Sequence, residues 1–138
     1  MFVQQFVTID RPPGEVADLF EEEVMPKLTD LIAATWRRRD AGVSSEPWSD
    51  SVGARRERVD GVVYAVRWPA NGELERPEVD IDLEFSDYDV KSTHAQLAGQ
   101  VRFPWLVRWS ADERAAERRT MTAFDALLTT LAAVLELS

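Results

Sequence analysis

Asp112–Leu137, DERAAERRTMTAFDALLTTLAAVLEL, has the residue pattern of one unbroken amphipathic helix. Ser110, Ala111, Asp112 and Glu113 match a capping box, in which a hydroxyl accepts from the third helical amide and a carboxylate from the first. At about 1.5 Å per residue the helix would be roughly 39 Å long, comparable to the width of a compact domain of this size. A helix of that length needs an apolar partner surface of equal length, and a curved sheet provides one.

The two halves of this predicted helix differ in the side chains that they present to the sheet. Placed 100° apart, the apolar residues form a stripe about 160° wide, made of Met121, Ala123, Phe124, Leu127, Leu128, Leu131, Val134 and Leu135. Polar residues lie opposite, at Arg118, Thr122, Asp125 and Thr129. Toward the N-terminus the stripe continues onto Thr120, Glu117 and Glu113. The half from Phe124 onward is therefore predicted to be core, and any function of the helix is expected before Phe124.

The N-terminal part of the chain predicts a strand followed by a pair of helices. Residues 2–9 alternate with apolar side chains on both faces, which predicts a strand inside a sheet or beneath a helix. Pro13 suits the first turn of a helix. Apolar spacing of three and four residues continues to Trp36, and Pro26 interrupts it. We expect two helices, or one helix broken near Pro26.

The middle of the chain predicts an antiparallel sheet. Asp60-Gly61 is a tight-turn signal between residues 55–59 and 62–68. Residues 78–85 alternate strictly between apolar and acidic side chains, which predicts one buried and one solvated face. Residues 90–97 and 101–109 predict two further strands with Gly99 between them.

Composition predicts one globular domain over residues 1–138, with 45% hydrophobic residues. The net charge of −9 would repel a phosphate backbone and argues against binding to nucleic acid. The chain has no cysteine, which excludes disulfides and thiolate chemistry. It shows neither a signal-like start nor the long apolar run of a transmembrane segment, so we expect a cytoplasmic protein.

Few residues carry the patterns of catalytic or metal chemistry. His94 is the one histidine, and it lacks a nucleophile motif or a carboxylate at a telling spacing. Carboxylates about 7 Å apart on one strand face form a solvated surface more readily than an ion site, and here they are Glu78, Asp80, Asp82 and Glu84. Arg67 on the neighbouring strand is expected to offset part of their charge. No pattern calls for a metal or a cofactor.

Aromatic residues concentrate on the predicted strands, where Tyr64 and Trp68 share one face and Phe103, Trp105 and Trp109 another. They suit the apolar lining of a ligand pocket, and they equally suit a filled core. Periodicity does not distinguish the two.

The order of elements resembles that of the START-like (SRPBCC) superfamily, which includes polyketide cyclase/dehydrase and lipid-transport proteins. The entry into the first helix, Thr8-Ile9-Asp10-Arg11-Pro12-Pro13-Gly14-Glu15-Val16, is similar to openings found there. The resemblance implies an α+β helix-grip fold, with a curved antiparallel sheet wrapped around the long C-terminal helix and two helices after the first strand. It also implies a ligand cavity between sheet and helix, lined by Tyr64, Trp68, Phe85, Phe103, Trp105, Glu117, Thr120, Met121 and Phe124.

Three hypotheses for function follow. The first is a binding protein for a small hydrophobic ligand such as a lipid or a polyketide. The second is an enzyme of the cyclase or aromatase kind, with Glu117, His94 and Tyr64 as candidate acid or base groups. The third is a protein-interaction module with a filled core, acting through its acidic strand face or the arginines at 37–39.

Overall fold

A computed structural model of the chain describes residues 1–27, 52–70, 77–103 and 111–137. The elements, in chain order, are β1 Phe2–Ile9, α1 Pro13–Leu19, β2 Arg56–Arg58, β3 Gly61–Trp68, β4 Glu78–Asp87, β5 Thr93–Arg102 and α2 Ala111–Leu137. Helix α1 continues into a π-helical turn, Phe20–Val24, and a 3-10 turn, Met25–Lys27, at the predicted break near Pro26. The second predicted helix, over residues 28–36, lies outside the described residues.

The five strands form one antiparallel sheet in the order β1-β5-β4-β3-β2. The sheet is curved, and it packs with the long α2 as an α+β arrangement consistent with the predicted helix-grip fold. Helix α1 packs on β3 and β4, while α2 packs mainly on β1. Pro13 occupies the first turn of α1, as its fixed φ favours.

Among the described strands β1 lies at one end of the sheet, so of the two predicted positions, inside the sheet or beneath a helix, the second is observed. Val3 and Ile9 are fully buried, whereas Phe2 and Phe6 are 59% and 68% exposed. Apolar residues on both faces therefore did not mean burial on both faces. Only the odd-numbered face is covered.

Strand β5 corrects the expectation of two strands separated at Gly99, because one continuous strand runs from Thr93 to Arg102. Gly99 pairs with both Val3 of β1 and Ile81 of β4. Its φ is +156°, and a Cβ there would stand 2.3 Å from the Asp80 carbonyl oxygen. The glycine thus lies within the strand at a close approach to the backbone of β4, and it is not a turn. Residues 104–109 of the predicted last strand lie outside the described residues.

Helix α2 confirms the predicted terminal helix and its apolar stripe. The buried residues of its second half are Ala123, Phe124, Leu127, Leu128, Leu131, Ala132 and Leu135, and the predicted polar side is exposed. Ser110 and the side chains of residues 111–113 lie outside the description, so the capping box stays a prediction. Within the described ranges α2 is also the one helix with the length and hydropathy of a membrane span. Several of its apolar residues, among them Phe124, Leu128 and Leu131, belong to the hydrophobic core cluster.

The acidic face of β4 is balanced by arginines from neighbouring strands, as expected of Arg67. Arg67 Nε lies 2.7 Å from Asp80 Oδ1, and its guanidinium also donates to the Ile81 carbonyl. Arg56 and Arg58 of β2 lie 3.6 and 3.7 Å from Asp82 and Glu84. Cross-strand arginines thus offset the charges of Asp80, Asp82 and Glu84 on this outer face.

Candidate functional site

The concave face of the sheet is built in rows, since directly paired residues of neighbouring strands point the same way. One row begins at Gln5 of β1, crosses Leu97 and Leu83, and ends at Tyr64 of β3. The flanking rows are apolar, with Val3, Gly99, Ile81 and Val66 on one side and Val7, Ala95, Phe85 and Val62 on the other. The row of Gln5 and Tyr64 therefore has a polar side chain at each end of an apolar surface.

Tyr64 is fully buried among aromatic rings. Its ring centroid lies 4.8 Å from that of Phe20, in the π-helical turn after α1, and 6.1 Å from that of Phe85. Phe20 and Phe85 contact each other edge to face at 5.3 Å, so the three rings form one cluster beneath α1. Within the described part of the chain the Tyr64 hydroxyl has no hydrogen-bond partner. Since buried hydroxyls are nearly always bonded, this group requires an explanation.

The electrostatics of Tyr64 follow from this burial. Burial raises the pKa of the phenol well above its ordinary value of 10.0, and the negative charge of Glu21 raises the pKa further. The Glu21 carboxylate lies close enough to raise the pKa of the phenol both through its charge and as an approaching hydrogen-bond acceptor, although the pair falls outside strict hydrogen-bonding geometry. At physiological pH Tyr64 is a neutral hydrogen-bond donor and not a base.

Arg55 is the centre of an ion cluster that links α1 and the turn after it to β2. Its guanidinium lies 3.1 Å from Asp18 and 3.0 Å from Glu21, and its Nε donates to Glu57 at 2.7 Å. The hydrogen bond that Arg55 donates to Asp18 raises the pKa of the guanidinium further above its already high value, so the group stays cationic. The cluster carries two net negative charges, because three carboxylates surround one guanidinium.

Gln5 provides the second buried polar group of the row. Its Nε2 donates to the main-chain carbonyl of Met121 on α2 at 3.0 Å. Its Oε1 is buried and, among the described residues, has no partner. A donor at Tyr64 and an acceptor at Gln5 thus stand at opposite ends of the same row.

The described residues of the predicted cavity lining are either apolar residues in or against the core cluster, or polar residues on α2. Tyr64, Phe85 and Phe124 are fully buried in one core cluster, and Phe103 and Met121 pack against it half-buried. Thr120 is buried on α2, but its hydroxyl donates to the Ala116 carbonyl of the same helix at 2.8 Å. Glu117 is half-buried one turn before it. The side chain of Trp68 and all of Trp105 lie outside the described part.

His94 stands apart from this group. It pairs with Thr8 and Ser86 at the even-numbered positions of β5, on the outer face of the sheet. Its ring lies 5.2 Å from that of Phe6. His94, one of the three candidate acid or base groups with Tyr64 and Glu117, therefore lies on the opposite face of the sheet from Tyr64.

Neither the surface grooves nor the potential metal ligands among the described residues give a further candidate site. An open groove of about 360 Å³ lies at the end of β3 and β4, lined by Arg67, Pro69, Ala70, Glu78, Val79 and Asp80. It contains none of the residues predicted to bind a ligand. Among the residues that the structure describes, no three acidic or histidine side chains are grouped to hold a metal ion.

Gln5, Phe20 and Arg55 belong to the site but were missed in the sequence. Gln5 carried a signal, because strict alternation places it on the same strand face as Val3 and Val7. Phe20 was recognised as an apolar helix residue but not as the neighbour of Tyr64. Arg55 gave no signal, since its partners are distant in sequence and their contact depends on how α1 folds back over the sheet.

Comparison with known proteins gives remote likenesses. No family model matches the chain, and no curated protein matches it. Among solved structures, TTHA0849 from Thermus thermophilus is 10% identical with a TM-score of 0.46, covering 98% of this chain and 97% of the other. The Zhui aromatase/cyclase from Streptomyces sp. R1128 is 15% identical with a TM-score of 0.34, covering 95% and 93%. The structural neighbours thus include an aromatase/cyclase, and the activity in that name belongs to that protein.

Proposed function

We propose that the protein binds a small, largely apolar molecule, such as a lipid or a polyketide, between the concave face of the sheet and its helices. The observation that supports this is the buried Tyr64 hydroxyl, which lacks a partner among the described residues. Ligand sites combine an apolar lining with a few placed polar groups. A single donor at the edge of an aromatic cluster matches that description.

The chemistry of Tyr64 defines what the ligand carries. A neutral phenol donates one hydrogen bond, so the complementary group is an acceptor such as a carbonyl oxygen. Phe20 and Phe85 would contact a flat or aliphatic body next to that oxygen. Gln5 Oε1, at the other end of the row, would accept from a hydroxyl if the ligand reaches that far.

A matched pair of probes tests this hydrogen bond. 2-Acetylnaphthalene has a carbonyl where 2-ethylnaphthalene has a methylene, and the two are otherwise nearly the same in shape. We expect the wild type to bind the ketone about tenfold more tightly, which is the upper range for one hydrogen bond. Tyr64→Phe should remove that preference while leaving the binding of 2-ethylnaphthalene unchanged.

Stability of the free protein provides the control for Tyr64→Phe. Since the hydroxyl has no hydrogen-bond partner among the described residues, its removal should leave the free energy of unfolding unchanged or raise it by about 1 kcal/mol. Tyr88, which is 66% exposed, gives the matched variant Tyr88→Phe, expected to change neither binding nor stability. If neither probe binds the wild type, and native mass spectrometry of the purified protein finds no bound apolar species, the proposal fails. A loss of stability in Tyr64→Phe would show that the hydroxyl already has a protein partner.

A cyclase-like enzyme is the second candidate, favoured by the acid cluster beside the Tyr64 phenol. A neutral phenol can stabilise the oxyanion of an enolising carbonyl, while a carboxylate such as Glu21 accepts the proton. Cyclisation with dehydration would release a product lighter by one water than the bound molecule. Mass spectrometry of any molecule recovered from the protein, before and after incubation, distinguishes this from simple binding. Recovery of an unchanged mass contradicts a cyclisation with dehydration.

A further inference from the structure

The outer edge of β1 pairs with no other strand among the described residues and is called the free edge below; unlike ordinary sheet edges, it carries no charged side chain. Its residues, FVQQFVTI, include no acid or base, and both phenylalanines on its outer face are more than half exposed. The opposite end strand, β2, is Arg56-Glu57-Arg58. Natural proteins protect edge strands with charges because an unpaired edge can pair with another chain. Strand β2 has this protection and β1 does not.

Hydrogen bonding to β5 shows which backbone groups of β1 face outward. Met1 and Val101 exchange both of their backbone hydrogen bonds, so the odd-numbered residues of β1 bond to β5. The N–H and C=O groups of Phe2, Gln4, Phe6 and Thr8 therefore point to the free edge. At Asp10 this edge ends, since the Asp10 amide donates to Glu136 of α2.

We propose that β1 pairs antiparallel with β1 of a second copy of this chain, about a two-fold axis at Gln4. In this register Gln4 faces Gln4 of the second copy, and Phe2 faces Phe6 of the second copy. Even-numbered residues meet even-numbered residues, so outward donors oppose outward acceptors. The same register places two Phe–Phe pairs side by side on the outer face, where cross-strand aromatic pairs add stability.

Charge and area argue for a second copy and for a weak dimer. A chain with a net charge of −9 can approach its own copy most easily at an uncharged surface. The exposed parts of four phenylalanines supply roughly 500 Å² of apolar area, given about 200 Å² for each ring. With the paired backbone this stays below the roughly 1,200 Å² of a stable interface. The dimer should therefore depend on protein concentration.

Sedimentation equilibrium on the full chain tests the association. We expect the wild type to pass from monomer to dimer as its concentration rises. Phe6→Lys should raise the dissociation constant at least tenfold, because it places a charge in each aromatic pair. Val59→Lys adds the same charge to a fully exposed apolar residue in the β2–β3 turn, and should leave the dissociation constant unchanged. A wild type that stays monomeric at every concentration, or equal effects of the two lysines, would overturn the proposal.

Cysteine cross-linking tests the register, since the chain has no cysteine of its own. In the proposed pairing the two Gln4 Cα atoms are about 5.5 Å apart, within the range of a disulfide. The two Thr8 Cα atoms are about 27 Å apart. With oxidised glutathione, Gln4→Cys should form a covalent dimer rapidly and Thr8→Cys should not. Equal rates for the two variants would contradict this register.

Gln4→Pro tests the backbone part of the pairing. Proline is tolerated in an edge strand where its missing N–H would face solvent, so this variant should keep the wild-type circular dichroism spectrum. It should nevertheless lose dimerisation, because the central hydrogen bonds are gone. If Gln4→Pro folds and dimerises like the wild type, the β1 edge is not the interface. If it does not fold, Phe6→Lys and the cysteine pair still decide the question.

Discussion

Tyr64 is the main candidate for a ligand contact on the concave face, because its side chain is buried and has both an aromatic ring and a polar hydroxyl. Its ring completes the cluster with Phe20 and Phe85, so packing alone explains the ring. Packing does not explain the hydroxyl, since phenylalanine would fill nearly the same space without an unpartnered polar atom. The proposed ligand would supply an acceptor for this hydroxyl.

The raised pKa of Tyr64 predicts a loss of stability in alkaline solution. Below pH 10 the phenol is neutral in both folded and unfolded chains, and its contribution is fully present. As the pH rises above 10, the unfolded chain ionises while the buried phenol resists, so the free energy of unfolding falls by up to about 1.4 kcal/mol per pH unit. The fall ends only when the pH passes the folded pKa.

Urea unfolding at a series of alkaline pH values measures this contribution. The chain has two tyrosines, so Tyr64→Phe and Tyr88→Phe form a matched pair. We expect the free energy of unfolding to fall less steeply with pH in Tyr64→Phe than in the wild type, and equally steeply in Tyr88→Phe. If Tyr64→Phe loses stability with pH as steeply as the wild type, the phenol is open to solvent.

Strand β5 depends on a glycine for its place between β1 and β4. A Cβ at Gly99 would stand 2.3 Å from the Asp80 carbonyl oxygen and 2.6 Å from Ile81 Cα. Both are backbone atoms, so one strand would have to move, and the φ of +156° adds strain for any other residue. We expect Gly99→Ala to lower the free energy of unfolding by about 3 kcal/mol.

Gly14→Ala is the control for this prediction, because a Cβ at Gly14 meets nothing within 4 Å. It lies in α1, where alanine favours the helix, so its free energy of unfolding should stay the same or rise by about 1 kcal/mol. Chemical denaturation of the two variants side by side measures both. Equal stability of Gly99→Ala and the wild type would show that β5 and β4 separate without cost.

In the whole molecule the helices cover the concave face of the sheet, and the edge of β1 lies outside that covered region. Helices α1 and α2 both lie on the concave side, so a ligand there would be enclosed, whereas the β1 edge faces outward. The proposed ligand binding and the proposed association therefore involve different surfaces, and a variant at one surface should leave the other function intact.

Net charge predicts how salt affects the association of two whole chains. Two copies at −9 each repel one another, while the proposed contact at β1 holds no charge. Salt screens the repulsion, so the dissociation constant should fall as sodium chloride is raised. Sedimentation equilibrium at low and high salt measures this, with Phe6→Lys as the dissociated reference. A dissociation constant that rises with salt would indicate an interface held by ion pairs.

Much of the fold could be predicted from local patterns. The alternation at residues 78–85 and the helical spacing of residues 121–135 each define a buried face without reference to the rest of the chain. The site was less predictable. Tyr64, Phe85 and Phe124 were expected to lie together, but the neighbours that give Tyr64 its character, Phe20 and Glu21, come from a helix whose docking the sequence does not specify.

The sequence by itself determined which side of each strand and helix is apolar, because those periods of two and 3.6 residues are properties of the local backbone. It also determined the acidic balance and the length of α2. Only the tertiary structure decided that β1 stands at an edge, that β5 runs unbroken through Gly99, and that His94 lies across the sheet from Tyr64. It also decided which buried polar atoms have partners. These depend on pairings between residues far apart in the chain, which no local pattern encodes.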